Sequence, residues 1–145
     1  IRVAVFSALN RDMEVARYKG SALANKIIES LDHGPKYTYL IGHDTNLANL
    51  GEIFDLNWKL PRRDQNENTP GGYLTFEKWS VNGQPEIRVF YSALSPEQIH
   101  AERVTQPTDD FEILPRGTKF DEWKTTYGRR LQSNCIADDK YENRK

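Results

Sequence analysis

The stretch from Lys36 to Phe54, KYTYLIGHDTNLANLGEIF, constrains this chain more than any other. Lys36 to Ile41 is β-branched and aromatic, the composition of a strand interior. Gly42 breaks the run where the backbone must turn tightly. Asp44, Thr45 and Asn46 are helix-starting residue types. Leu47, Leu50 and Phe54 then recur at i, i+3 and i+7, one face of a helix. The stretch therefore predicts a strand, a sharp turn carrying His43 and Asp44, and a helix. In open α/β sheets ligands bind beyond the carboxyl ends of the strands. A helix start adds free N–H groups and the positive end of a dipole, which suit phosphate. On the residues alone a plainer reading stands beside this one. An Asp between a strand and a helix is most often an N-cap, and a single His is most often a packed side chain with a satisfied hydrogen bond.

The rest of the chain predicts elements around this unit. Ile1 to Ser7 is apolar and reads as a strand or as the end of a helix. Asn10 or Asp12 can cap a helix in which Val15, Tyr18, Ala22, Leu23, Ile27 and Leu31 keep a helical period. Gly34 and Pro35 stop it. Arg17 reads as part of a solvated face. Asp55 to Pro70 is polar and reads as a loop, in which Arg62 and Arg63 form a solvated turn in preference to an anion clamp.

Tyr73 to Ser80 and Glu86 to Ser92 alternate in polarity around Asn82-Gly83, the strongest short hairpin signal. Gln84 and Pro85 predict a connection slightly longer than the minimum. Large side chains on both faces, Leu74 and Phe76 on one, Tyr73, Thr75 and Trp79 on the other, predict a hairpin covered on both sides. Ser95-Pro96-Glu97 opens a short helix ending near Arg103, with His100 on its surface. Thr105 to Asp110 reads as a loop, Phe111 to Leu114 as a short strand and Thr118 to Leu131 as a last helix. Ala137 to Lys145 is nearly all charged and reads as frayed. No internal repeat or domain linker is visible.

Composition bounds the partners. The chain has 145 residues and a net charge of -1, with 28% charged residues. That balance argues against a nucleic-acid or membrane-surface partner. No apolar run approaches the roughly 18 residues of a membrane span. A hydrophobic fraction of 37% and a mean hydropathy of -0.76 are low for a self-contained domain. They fit a piece whose core lies partly elsewhere, or a small polar domain. The one cysteine, Cys135, excludes an internal disulfide framework and a multi-cysteine zinc site.

The run G-H-D-T-N-L-A-N-L after an apolar segment resembles the histidine acid phosphatase family, in particular its bacterial phytase and glucose-1-phosphatase branch. Asp64 to Trp79, DQNENTPGGYLTFEKW, resembles the same branch, and Asp12 to Leu31 resembles the helix before the His-Asp strand. The three stretches keep the family's order, and the resemblance runs from about Phe6 to Ala101. It implies an α/β fold: the C-terminal part of the histidine phosphatase α/β/α sandwich, with strand, His-Asp turn and helix followed by a β-hairpin and a terminal helix. It implies acid phosphomonoester hydrolysis through a phosphohistidine, acting on an inositol phosphate or sugar phosphate, in the periplasm or secreted. Carried over by position, Asp44 is the general acid for the leaving oxygen, His43 binds the phosphoryl group, and Thr45 is a substrate contact. A carboxylate at a helix start is stabilised as the anion, so it is protonated only at acid pH. The scheme requires no cofactor and no metal. A metal-dependent phosphohydrolase would need further ligands at ordered spacings, and His33 and His100 do not supply them.

The sequence also departs from the family. The Arg-His-Gly-x-Arg-x-Pro motif that carries the nucleophile is absent, and none of the three histidines, His33, His43 and His100, is flanked that way. Residues 1–145 therefore read as the C-terminal portion of a single histidine acid phosphatase domain, inactive alone, with the missing N-terminal half as a partner. A non-catalytic remnant of the fold, anion-binding or structural, is the alternative. Arg116-Gly117-Thr118 stands where many relatives place a Gly-Cys before the last helix. Cys135 is either a free thiol or, as the family implies, a partner for a cysteine of the helical domain.

Overall fold

The computed structural model describes residues 2–101, 106–107 and 109–136. Arg2–Asn10 forms helix α1, so the apolar opening run takes the helical reading. Asp12 caps the helix that follows, α2 (Met13–His33): its Oδ1 accepts the Glu14 and Val15 N–H groups at 3.0 and 3.1 Å. Gly34 ends α2 by donating to the Ser30 carbonyl at 3.1 Å. A Cβ there would lie 2.6 Å from Ser30 Cα, so close approach demands the glycine, whose φ is -78°.

The buried face of α2 is only partly the one its large residues predict: Ile27 is buried and Leu23 and Leu31 pack against the core, but most of the rest of the face is made of small residues. Ala16, Gly20, Ser21, Ala24, Ile27 and Ile28 are buried, while Tyr18 and Ala22 are exposed. The small residues let α2 approach α3 (Asp44–Ile53) closely: a Cβ on Gly20 would stand 2.9 Å from Ile53 Cδ1. Arg17 reaches the Arg130 carbonyl through Nε at 2.6 Å, and Arg130 Nη1 donates to the Glu52 and Ile53 carbonyls at 3.4 and 3.3 Å. Those are last-turn carbonyls of α3, beyond its i+4 ladder, and the Glu52 carbonyl also accepts the Asp55 N–H at 3.3 Å.

β1 (Tyr73–Val81), β2 (Gln84–Ala93) and β3 (Asp109–Glu112) form an antiparallel sheet in the order β1-β2-β3. Val81 pairs with Gln84, so the turn is only Asn82-Gly83, at φ 51° and 77°; Gln84 and Pro85 belong to the strand, not to a longer loop. The sheet is apolar-covered on one face. Leu74, Phe76, Ile87, Val89 and Tyr91 join the core, with Phe76, Trp123 and Tyr127 around Phe54. On the other face Tyr73 and Trp79 are exposed, contrary to expectation. The Trp79 ring is instead overlain by the Arg88 guanidinium at 4.2 Å and donates to Glu77 Oε2 at 2.7 Å.

α4 (Pro96–His100) stops short of Arg103, and α5 (Phe120–Gly128) occupies the middle of the predicted last helix. A 3₁₀ turn, Ser133–Cys135, follows, with Cys135 a free thiol. The predicted charged tail from Ala137, and part of the predicted loop before β3, fall outside the described residues.

The main correction concerns Lys36 to Ile41. The segment forms no strand, and the sheet does not reach it. Tyr37, Tyr39 and Ile41 are 83%, 89% and 90% exposed. A strand exists only through a neighbour's ladder, and none of the described residues pairs here. The mixed helix-and-sheet architecture that the resemblance implies is nonetheless present, with the sheet antiparallel.

Candidate functional site

His43 is the N-cap of α3, at φ -117° and ψ 170°, and Asp44 is its first residue. The turn is closed by its own side chains. Asn46 Oδ1 accepts the His43 N–H at 2.8 Å, while Asn46 N–H donates to the His43 carbonyl at 3.0 Å. Asp44 Oδ1 accepts the Thr45 N–H at 2.8 Å. Gly42 permits this closure, since a Cβ would sit 2.9 Å from Asn46 Oδ1. Thus His43, Asp44 and Thr45 occupy consecutive positions at the start of one helix. His43 and Asp44 are exposed and Thr45 half-buried.

All but Thr45 of these line a groove of about 1190 Å³. Its floor is apolar, with Leu23, Ile27 and Leu31 from α2, Leu47 from α3, and Leu74 and Phe76 from β1. The segment 35–43 forms one wall and residues 66–72 form the other.

That second wall is fixed from beneath. Trp58 and Tyr91 stack at 4.5 Å with their planes 13° apart, and both are buried. Trp58 N–H donates to Asn66 Oδ1 at 2.9 Å, and Trp58 Nε1 to the Glu67 carbonyl at 3.0 Å. Tyr91 Oη accepts the Thr69 N–H at 3.0 Å. Gly72 must lack a side chain, because a Cβ would come within 2.2 Å of Tyr91 Oη. Asn68 crosses to the helix: its Nδ2 donates to the Asp44 carbonyl at 3.3 Å.

Positive charge is sparse here. Lys36 is the basic side chain lining the groove, beside the titratable His43. Arg62 is held bidentate by Glu97 Oε1 and Oε2 at 2.5 and 2.9 Å. Glu97 lies below its ordinary carboxyl value, through a hydrogen bond from its own backbone first, then through Ser95 and Arg62. Arg63 is half-buried between Glu67 and the Leu94 carbonyl, so the pair is neither a solvated turn throughout nor an anion clamp. His33 stands at the end of α2, and His100 Nδ1 lies 2.9 Å from the Pro96 carbonyl. Among the described residues no three or more His, Cys, Asp or Glu side chains gather as a metal site. No helix among them is long and apolar enough to cross a membrane.

The sequence placed His43, Asp44 and Thr45 at a helix start, where the structure has them, but gave no sign of the tie from Asn68. Asn68 lies inside the stretch that resembles the phosphatases, yet nothing in its spacing signals a contact 24 residues away.

No family model matches the chain. It is 41% identical over 88 residues to Phytase AppA of Escherichia coli (strain K12), an alignment covering 52% of this chain and 20% of that protein. The phytase of Citrobacter braakii superposes on 94% of this chain and 41% of its own, with a TM-score of 0.82 at 24% identity. Hafnia alvei phytase, solved with myo-inositol hexakis sulphate, covers 94% of this chain and 40% of its own, with a TM-score of 0.78 at 23% identity. The chain thus spans less than half the length of the relatives it matches. The resemblance to the C-terminal portion of the histidine acid phosphatases, on the phytase branch, holds in sequence and in fold.

Proposed function

We propose that this chain is the proton-donor portion of an acid phosphomonoester hydrolase of the phytase type. One observation carries the reading: His43 and Asp44 stand side by side at a helix start, on the mouth of a groove. Phosphomonoester hydrolysis needs a nucleophile, positive groups around the phosphoryl oxygens and an acid for the leaving alkoxide. Asp44 suits the last role. Among the described residues its Oδ1 is engaged only by the adjacent Thr45 N–H, and the side chain is exposed to an incoming leaving oxygen. His43 suits a donor to the phosphoryl group, and Thr45 a neighbouring contact. A separate histidine would attack phosphorus, giving a phosphohistidine that water cleaves. None of the described residues is arranged for that step, and Lys36 with His43 is too little charge for a phosphoryl cradle.

In this reading residues 1–145 form the C-terminal portion of one α/β domain. The N-terminal portion, carrying the nucleophile and its arginines, seats in the groove against Lys36 to Ile41. The exposed row Tyr37, Tyr39 and Ile41 supports this, because strand-patterned apolar side chains are costly to leave in water. The substrate class is an inositol phosphate or a sugar phosphate, and the compartment the periplasm or the exterior. The hexakis sulphate complex of the Hafnia phytase supports a polyanionic ligand.

The test is complementation. The chain is mixed with a segment carrying an Arg-His-Gly motif from a bacterial phytase, and phosphate release from inositol hexakisphosphate is followed at acid pH. Neither piece alone should turn over. The mixture should, and Asp44→Asn should lower its rate by roughly 10²–10⁴. A folded mixture that binds the anion and releases no phosphate would overturn the catalytic reading and leave a non-catalytic, anion-binding remnant.

A further inference from the structure

We propose that Asn68 is a positioning residue for Asp44, tying the proton donor's backbone to the rigid far wall of the groove. The inference rests on the reading of Asp44 as general acid. Its structural basis is independent of that reading.

Asn68 is held through the residues on either side of it. Its neighbours are anchored in the core: Asn66 and Glu67 to Trp58, and Thr69 to Tyr91. Asn66 N–H also returns to the Trp58 carbonyl at 2.9 Å, and Gly72 N–H to the Thr69 carbonyl at 2.9 Å. Between anchors on both sides, the Asn68 backbone has little freedom. Its side chain faces the groove and spans to α3.

The orientation of the amide follows from its partner. The Asp44 carbonyl can only accept, so Nδ2 must face it and Oδ1 must face away. Oδ1 is out of solvent and without a protein partner among the described residues. Turning the amide over would put two acceptors against each other. The contact therefore requires a donor, not merely a side chain of this size.

The consequence reaches the carboxyl group. Asp44 is the first residue of α3, where no preceding helical turn holds it. Its side chain is fixed locally, through the Thr45 N–H. Holding the Asp44 carbonyl from across the groove adds a second restraint, beside the helix's own i+4 bond, to the peptide plane that carries that N–H, and so narrows where Oδ1 sits. Proton transfer needs its partners within hydrogen-bond reach, and small misplacements are costly in rate.

The test uses the full chain with Asn68→Ala and with Asn68→Asp, the latter isosteric but without a donor at neutral pH. In the isolated chain, both variants should shift or broaden the backbone amide resonances of Asp44 and Thr45, with the β1 and β2 resonances unmoved. Unchanged Asp44 and Thr45 resonances in both variants, or retention of the wild-type pattern by Asn68→Asp, would overturn the proposal. In the complemented hydrolase, both variants should lower kcat for an alkyl phosphate about tenfold at unchanged KM. Hydrolysis of p-nitrophenyl phosphate, whose leaving group needs little protonation, should change less than about twofold. Equal losses on both substrates would mark a merely structural residue and overturn the positioning role. If the unmodified mixture does not turn over, the proposed function fails by itself, and the resonances of the isolated chain still decide whether Asn68 positions Asp44.

Discussion

Tyr91→Phe removes one oxygen from the device that holds the groove wall. The ring should remain stacked on Trp58 at 4.5 Å, so the apolar burial is unchanged. What is lost is the acceptor for the Thr69 N–H, 3.0 Å away. Thr69 is itself buried, at 6% exposure, so water cannot replace the hydroxyl without opening the loop. An unsatisfied buried donor costs about 1–3 kcal/mol. Against a typical total of about 5–15 kcal/mol, that is a substantial share. Urea unfolding followed by tryptophan fluorescence reads it directly, because Trp58 is half of the stack. The midpoint should fall at constant m, since the surface exposed on unfolding does not change. Hydrogen exchange should show the Thr69 amide losing more protection than the amides of α2. A loss below about 0.5 kcal/mol, smaller than an average net hydrogen bond, would refute the claim that this bond anchors the wall.

Three further outcomes follow from the packing. Gly20→Ala drives a Cβ to 2.9 Å from Ile53 Cδ1 and 3.0 Å from Asn49 Cβ, and should cost about 1–3 kcal/mol in thermal or urea unfolding. Arg11 donates to the Leu56 carbonyl at 2.5 Å and lies 5.3 Å from the Trp58 ring centroid; burial lowers its pKa while Glu52 and Asp55 raise it. Arg11→Ala should destabilise by about 1.5–3 kcal/mol, measured the same way, because the charged hydrogen bond and the packing over Trp58 go together. Asp32 is held below the ordinary carboxyl value of 3.8, chiefly by a hydrogen bond from Lys124 at 3.0 Å. A depressed carboxyl stabilises above its unfolded value and loses that contribution as pH falls through the folded one. Asp32→Asn should therefore cost under about 1 kcal/mol at pH 7, this being an exposed pair, and the difference should vanish below the depressed value in a pH series of unfolding midpoints.

Local chemistry made much of the fold legible. Asp12 caps α2, Asn82-Gly83 turns the hairpin, and Ser95-Pro96 opens α4, because each signal is carried by residues in direct sequence contact with its effect. The buried face of α2 was legible only in part, at Leu23, Ile27 and Leu31. Periodicity ranks faces by side-chain size, yet the contact with α3 selects the small residues Ala16, Gly20 and Ala24, which allow close approach and leave Tyr18 outside. The paired faces of the hairpin misled for a related reason. Trp79 reads as core or edge packing by type, but Arg88 and Glu77 satisfy it at the surface with a cation over the ring and an acceptor for the indole N–H. The tie from Asn68 to Asp44 depends on a loop that doubles back over Trp58 and Tyr91, a tertiary fact with no local signature.

The segment from Lys36 to Ile41 separates two kinds of prediction. Its β-branched and aromatic content states a preference for extended backbone and for a neighbour on the sheet. Only the first can be met by the segment itself, since ladder hydrogen bonds belong to two strands at once. Among the described residues no strand approaches it, and Tyr37, Tyr39 and Ile41 remain in water. The helix after it needs no such partner: Asn46 closes the first turn of α3, and Leu50 and Ile53 bury their side chains against α2. Thus the helical half of the His-Asp unit forms here while the strand half does not. The proposed seating of an N-terminal portion in the groove makes a direct demand on this difference. On complementation the amides of Lys36 to Ile41 should gain hydrogen-exchange protection by more than tenfold, as ladder bonds form, while those of α3 change little. Activity returning without that protection would refute the strand as the joining surface, whatever became of the catalytic assignment.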